Sequence, residues 1–398
     1  MLAASKAARV STPETRTRIS GGLLVLSLLS TGHLFADLYS GALGALQPLL
    51  VRQFGMTLAG AGVLGGVLVW SSSVMQPVYG YLSDRFRTRL FAALGPGLAG
   101  ILISCLGLAP SYAWLLVMVA LGGAGIAAFH PQAASQATLG IGRNRGRAMA
   151  AFISAGTLGY ALGPTYFSVM AERFGLSGTW WAAIPGVLVS LLLLFLLPAP
   201  PPTVRRSGAG GFDWAALRAF WKPLTVLYLL VFLRSTVQIT FAQFIPLYLW
   251  RERGFGLGAA SYALTGYLTC GAIGGFIGGH LADRFGGKRV ITFSMIASVP
   301  LLALFFLAAG WLSIAGLWLG GLVLLFTIPV NVMMGQELVP SQAGTISALM
   351  MGFAWGMAGL VFIPLIGWAS DLFSMHHALM ALMVFPAIGF FLSLRLPK

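Results

Sequence analysis

The chain has 398 residues, of which 58% are hydrophobic and only 8% charged, against about 25% charged residues in an ordinary soluble domain. With a mean hydropathy of +0.88, a soluble globular fold is excluded and a helical integral membrane protein is implied. The net charge of +15 does not mark a nucleic-acid binder, because Lys and Arg sit at the ends of apolar runs, where lipid head groups and cytoplasmic loops hold them.

Residues 1–19 form a polar, basic tail with Lys6, Arg9, Arg16 and Arg18. The apolar stretch behind it is too long for the h-region of a signal peptide, and more spans follow, so the tail precedes a retained first helix. Crossing the hydrocarbon takes about 20 apolar residues. That ruler gives twelve spans, near 20–47, 58–82, 90–109, 113–138, 147–171, 179–198, 223–249, 258–282, 289–309, 312–335, 343–369 and 376–395. The stretch 199–222, PPPTVRRSGAGG in its first part, is linker-like. Its end, FDWAALRAFW, reads as a short amphipathic helix on the membrane surface. The chain therefore divides into a tail (1–19), six spans (20–198), a linker (199–222) and six more spans (223–398).

The first span contains STGHLFADLYS, which puts His33 and Asp37 four residues apart on one helix face. An Asp at mid-membrane costs about 2.5–3.5 kcal/mol on insertion scales, so it must face protein or water and have a partner. Span two carries Gly62 and Gly66, a small face for close helix packing, and Gln76 before Pro77, placed to line a cavity. Span four holds AAFHPQAA. His130 is of the residue type whose charge changes near neutrality, or is a satisfied hydrogen-bonder, while Pro131 leaves the Ala127 carbonyl without its helical donor. Span five contains GTLGYALGP, in which Pro164 bends the helix and Gly159 and Gly163 allow close packing.

In the second half, Arg234 lies deep in span seven with Gln238 four residues on and Gln243 beyond. Gly271, Gly275 and Gly279 form a ladder of small residues in span eight. Asn331 and Glu337 end span ten as a gate or a helix cap, and Trp355 in span eleven is core or cavity wall. Cys105 and Cys270 both fall within apolar segments, where packing is their expected role. No metal-ligand cluster and no nucleophile with a base stand out, so no metal, cofactor or enzymatic activity is expected, and the pair His376–His377 is assigned no site.

Two loops repeat. GYLSDRFRTR (80–89) and GHLADRFGGK (279–288) share Gly, Leu, Asp, Arg and Phe at positions 199 residues apart, each after the second span of its half. Matching loops at matching places argue for a duplicated six-helix unit. Asp84 and Asp283 are placed to accept bonds from free N–H groups at a helix start. Arg85, Arg89, Arg284 and Lys288 can pair with them or with lipid, either as a conformational latch or as plain topological signals. The ends near Arg85, Arg145, Arg218, Arg284 and Arg395 are rich in Lys and Arg, and the opposite ends hold only Arg52, Arg173, Arg251 and Arg253. The rich side should be cytoplasmic, with both termini.

The doubled G-x-L-x-D-R-x-x-x-[R/K] loop, in a chain of this length with six-plus-six layout, resembles the major facilitator superfamily across essentially its whole length. The resemblance implies an all-α membrane fold of two pseudo-symmetric six-helix bundles around a central cavity that opens alternately to each side. H-x-x-x-D (His33, Asp37), F-H-P-x-A (Phe129 to Ala133) and the G-x-x-x-G-P of Gly159, Gly163 and Pro164 are similar to the fosmidomycin-resistance branch, which implies proton-coupled drug export. The span-four arginine of many other drug exporters is missing; the place is apolar, near Val119. In such a fold the first and seventh spans border the cavity, so Asp37 and Arg234 face each other, as a working pair or a static bridge. The expected protein is thus a monomeric secondary transporter of a bacterial inner membrane. Its expected partners are a small-molecule substrate, protons and lipids, with no nucleic acid. His33, Asp37 and His130 are its proton candidates, and Arg234, Gln238, Gln243 and Gln76 its substrate candidates. An importer of small organic acids uses the same parts in reverse, and a channel or scramblase is the alternative of another class.

Overall fold

A computed structural model of the protein describes residues 13–86, 88–141, 144–198 and 214–397, without the side chains of 13–20, 84, 214–216 and 344. The tail up to residue 12, most of the linker and the Asp84 side chain therefore lie outside the described part. The described residues form helices joined by short turns, with no strand among them.

In the first half these are α1 (Gly21–Phe54), α2 (Leu58–Ser83), α3 (Leu90–Ser104), α4 (Tyr112–Gln136), α5 (Arg145–Phe174) and α6 (Ser177–Leu196). In the second they are α7 (Trp221–Arg251), α8 (Leu257–Phe285), α9 (Gly287–Leu307), α10 (Gly310–Leu338), α11 (Thr345–Leu372) and α12 (Met375–Ser393). Nine of them are long and apolar enough to cross a membrane by themselves. The other three are the shorter α3 and the long α5 and α8, whose polar faces dilute their hydropathy. Together they make the two six-helix bundles expected. The short helix Trp214–Ala219 precedes α7.

Two boundaries differ from the expectation. The helix leading into α1 already begins at Pro13, inside the stretch read as a tail, because a proline is well accommodated in the first helical turn. At its other end α1 continues past residue 47 to Phe54. Pro48 does not stop it; Gly55 does, with φ +57° and its N–H bonded to the Val51 carbonyl. Gly254, the same position in the repeat, also has positive φ.

Large apolar side chains such as Phe195, Phe276 and Leu307 point outward, the reverse of a soluble protein, because lipid solvates them. Inside lipid, helix association depends on close backbone approach rather than on the hydrophobic effect. Small residues supply it. A Cβ on Gly44 would lie 2.2 Å from the Ala242 carbonyl oxygen, which fixes how closely α1 meets α7. One on Gly163 would meet the Leu38 carbonyl oxygen at 2.4 Å, and one on Gly159 would strike Leu34 of the same helix. The G-x-x-x-G-P stretch thus seats α5 on α1 beside the residues that follow His33 and Asp37. The halves meet along three seams: α1 with α7, α2 with α11, and α5 with α8.

The motif loops fasten each half internally. Arg89 Nη1 donates to the Leu197 carbonyl at 2.7 Å, and Lys288 Nζ donates to the carbonyls of Leu394 and Leu396 at 2.9 and 2.6 Å. Residues 89 and 197 match 288 and 396 at the repeat spacing. Each cation thus caps the carbonyl-bearing end of the last helix of its own half, where the helix dipole favours positive charge. Arg89 and Lys288, expected to pair with the motif acids or with lipid, here bond carbonyls of their own half. Among the described residues, Arg85, Asp283 and Arg284 make no ion pair either.

Candidate functional site

The polar residues of the first half converge at α1, α4 and α5. His33 is buried, its ring stacked on Phe152 of α5 at 4.2 Å between centroids. Its Nδ1 lies 2.8 Å from the Phe152 carbonyl oxygen and its Nε2 3.3 Å from Asp37 Oδ2. His130, from α4, repeats the arrangement. Its Nδ1 is 2.7 Å from the Ile126 carbonyl oxygen and its Nε2 3.1 Å from Asp37 Oδ1. The two imidazoles meet edge to face at 4.9 Å. The carbonyl that His130 engages is one residue before Ala127, the one that Pro131 leaves without a donor.

These bonds fix the tautomer of both rings. A carbonyl oxygen only accepts, so each Nδ1 carries hydrogen. Each Nε2 then faces a carboxylate oxygen, and that gap closes as a hydrogen bond only when a proton lies in it. With two protons both gaps are bonded and the cluster carries one net positive charge. With one, a nitrogen lone pair faces a carboxylate lone pair across one gap. The arrangement can bind, hold and release protons by exchanging contacts. The ligand atoms of His33, Asp37 and His130 all lie within 4.8 Å of one another, a spacing that a metal ion can also use.

Two contributors were not singled out in the sequence. Gly156 makes the room: a Cβ there would lie 2.3 Å from His33 Nε2. Gln132, two residues after His130, accepts from the Ala92 N–H at 2.7 Å and donates to Ser83 Oγ at 2.8 Å and to the Thr88 carbonyl. It ties α4 to the motif loop and caps the start of α3. Gly156 sits in the glycine-rich stretch already noted, but its use depends on which helix it faces.

Arg234 stands in the other half. It is buried, with Nη1 donating to Gln238 Oε1, Nη2 to Ser235 Oγ at 2.9 Å, and Nε without a partner. It lines a cavity of about 180 Å³ with Val231, Ile328, Val332, Met350 and Trp355. The two ion pairs found among the described residues both belong to Asp37, and neither reaches Arg234. The expected Asp37–Arg234 pair is therefore not made here: the acid is already satisfied within its own half. Gln238 bonds Arg234, while Gln243 and Gln76 lie elsewhere. Gln243 packs on α2, filling the space above Gly65. Gln76 Nε2 donates to the Ser72 carbonyl at 2.9 Å, taking up a carbonyl in the widened turn Trp70–Val74.

Two repeated six-helix bundles, one holding the His33–Asp37–His130 cluster and the other the buried Arg234, have the architecture of a membrane transporter. The chain belongs to the Major Facilitator Superfamily, whose sequence model matches residues 29–363. It is 30% identical to the MFS-type transporter YfnC of Bacillus subtilis (strain 168), over 92% of this chain and 91% of that protein. It is 27% identical to the fosmidomycin resistance protein of Escherichia coli (strain K12), over 87% and 86%. It shares its fold with a bacterial homologue of the human lysosomal transporter Spinster, solved inward-facing and unoccupied. There the TM-score is 0.79 at 18% identity, covering 96% of this chain and 97% of that one.

Proposed function

We propose that the protein is a proton-coupled antiporter that exports a small organic anion by alternating access, with its Lys- and Arg-rich ends in the cytoplasm. The observation that carries this reading is the His33–Asp37–His130 cluster, whose two gaps are complete only with protons in them. A cluster built only to anchor helices has no need of a shared, exchangeable proton.

Arg234 supports the anion. Leaving a charge in a membrane interior without a counter-charge is costly, and such residues mark substrate paths. A carboxylate or phosphonate can take two parallel N–H bonds from a guanidinium, displacing the neutral Gln238 and Ser235 oxygens. The relative named for fosmidomycin resistance favours a phosphonate among the anions. Because the proton and anion subsites lie in opposite halves, coupling runs through the relative position of the halves rather than through a direct exchange between Asp37 and Arg234.

The test is proton movement in proteoliposomes, with fosmidomycin and a small panel of organic anions and cations, beside Asp37→Asn. Substrate-triggered proton flux lost in the variant supports the antiporter. Substrate transport without proton flux, equal in both proteins, makes the cluster structural and the protein a uniporter. Counterflow under an imposed pH gradient separates export from import.

A further inference from the structure

The ends of α5 and α11 carry Glu172 and Asp371, positions 199 residues apart and so equivalent in the repeat. Each reaches across to the other half. Glu172 Oε1 accepts from the Gly258 N–H at 2.8 Å, in the first turn of α8. Asp371 Oδ1 accepts from the Leu58 N–H at 2.9 Å and its Oδ2 from the Ala59 N–H at 2.8 Å, in the first turn of α2. Ala59 and Gly258 are themselves equivalent in the repeat. The four side-chain hydrogen bonds that cross between the halves, among the described residues, are these three and one between the Thr165 and Thr265 hydroxyls at 2.7 Å. Thr165 lies two turns from Glu172, so all four belong to the end opposite the motif loops.

The first turn of a helix has N–H groups that no helical carbonyl can satisfy. The residue before α8 is Gly256, which has no side chain to cap them. Thr57 caps only the Gly60 N–H of α2, leaving those of Leu58 and Ala59 open. In both places the missing cap comes from the other half. We infer that Glu172 and Asp371 are a two-fold-related pair of latches that hold this end of the transporter shut and must both release for it to open. The inference rests on alternating access alone and is independent of the ion or solute carried.

Three features suit a latch better than a fixed tie. Glu172 and Asp371 are exposed, so water replaces the helix N–H groups when they let go, and each contact is weak enough to break in every cycle. The backbones behind them close without side-chain interlocking. Gly62 faces Ile363 and Pro364, Gly66 faces Pro364, and Gly367 faces Leu58, each so near that no Cβ would fit. The same chemistry within one half is also present as a contrast. Glu252 accepts from the Met375 and His376 N–H groups at 2.9 and 3.0 Å, joining α7 to α12 of its own half. That cap has no reason to break when the halves rock.

The experiment is a distance measurement by pulsed electron resonance. Spin labels are placed at Trp180→Cys and Trp311→Cys, exposed positions at this end in opposite halves, after Cys105→Ser and Cys270→Ser. Glu172→Gln and Asp371→Asn keep the shape and remove the charge. Each single variant should raise the ratio of open to closed populations by about two- to fivefold, the effect of one exposed charge at a helix start, and the double variant by the product. Glu252→Gln should leave the ratio unchanged while lowering the melting temperature. The inference is overturned if both single variants keep the wild-type distances, or if Glu252→Gln shifts them equally. The single variants are read by themselves, so the outcome does not depend on the yield of the double variant.

Discussion

His130 and Asp37, from α4 and α1, meet at 3.1 Å between Nε2 and Oδ1, while the other ring nitrogen of His130 is held by the Ile126 carbonyl of its own helix. The ring can neither turn away nor change tautomer without losing a bond. His33 stands under the same constraint on the other carboxylate oxygen. Protonation is therefore the one free variable of the cluster, and Asp37 is the member that both contacts share. Asp37→Asn should abolish substrate-driven proton flux while leaving substrate counterflow, which needs no net proton movement. His33→Asn and His130→Asn each leave one contact intact and should lower the protons moved per substrate without abolishing movement. Paired measurement of proton and substrate flux in proteoliposomes checks this. Wild-type proton flux in Asp37→Asn would remove Asp37 from the relay.

Gly156→Ala tests the geometry without removing a polar atom. The new methyl would lie 2.3–2.6 Å from three atoms of the His33 ring. The ring cannot retreat, being stacked on Phe152 and bonded to its carbonyl. Its displacement from Asp37 should reduce proton flux to that of a His33→Ala variant. The cost in stability should be only that of overpacking, about 1–3 kcal/mol. Gly159→Ala should behave differently. Its methyl would strike backbone atoms of Leu34, which cannot swing aside as a side chain can, so α1 and α5 must separate and the yield of folded protein should collapse. Thermal melts and flux assays on the two variants separate the effects.

The fold was legible in the sequence to the level of helices, halves and repeat, because apolar length and the doubled loop are local signals. His33, Asp37 and His130 were legible as individuals, since an ionisable residue inside an apolar run needs an explanation wherever it points. Their joining was not. Repeat logic set Asp37 against Arg234, the base at the matching place, whereas the crossing of α4 over α1 gives Asp37 two partners in its own half. The motif cations were read as partners of Asp84, Asp283 or lipid, because those acids share their loops. The structure turns Arg89 and Lys288 onto the last helix of their own halves, a contact between segments about a hundred residues apart that no spacing reveals. Glu172 and Asp371 were invisible for a related reason: around them the two copies agree in little more than the acid and the Phe two residues on.

Arg89→Ala and Lys288→Ala test that assignment. Each removes a cation from the carbonyl end of a helix, and the expected loss is about 0.5–2 kcal/mol of stability per site. If these residues act within one half, neither substitution should change the balance between open and closed forms in the spin-label measurement above. A shift in that balance with unchanged melting temperature would return them to the role of a latch.

Arg234 should show stability and function moving in opposite directions. Its guanidinium is buried with one N–H group unpartnered and no carboxylate paired to it among the described residues. Removing an uncompensated buried charge relieves a desolvation penalty, and replacement of buried ionic groups by apolar ones of similar volume is often neutral or stabilising by about 1–4 kcal/mol. Arg234→Met should therefore melt at or above the wild-type temperature in the absence of substrate. It should also lose the stabilisation that a bound anion gives, since a ligand stabilises only the form that binds it. Arg234→Lys keeps the charge but not the planar two-bond fork, and should bind fosmidomycin about tenfold more weakly, or about 1.4 kcal/mol. Melting curves of the three proteins across a fosmidomycin titration decide the matter. If Arg234→Met is destabilised and still responds to the ligand as the wild type does, Arg234 is a packing residue and the anion binds elsewhere.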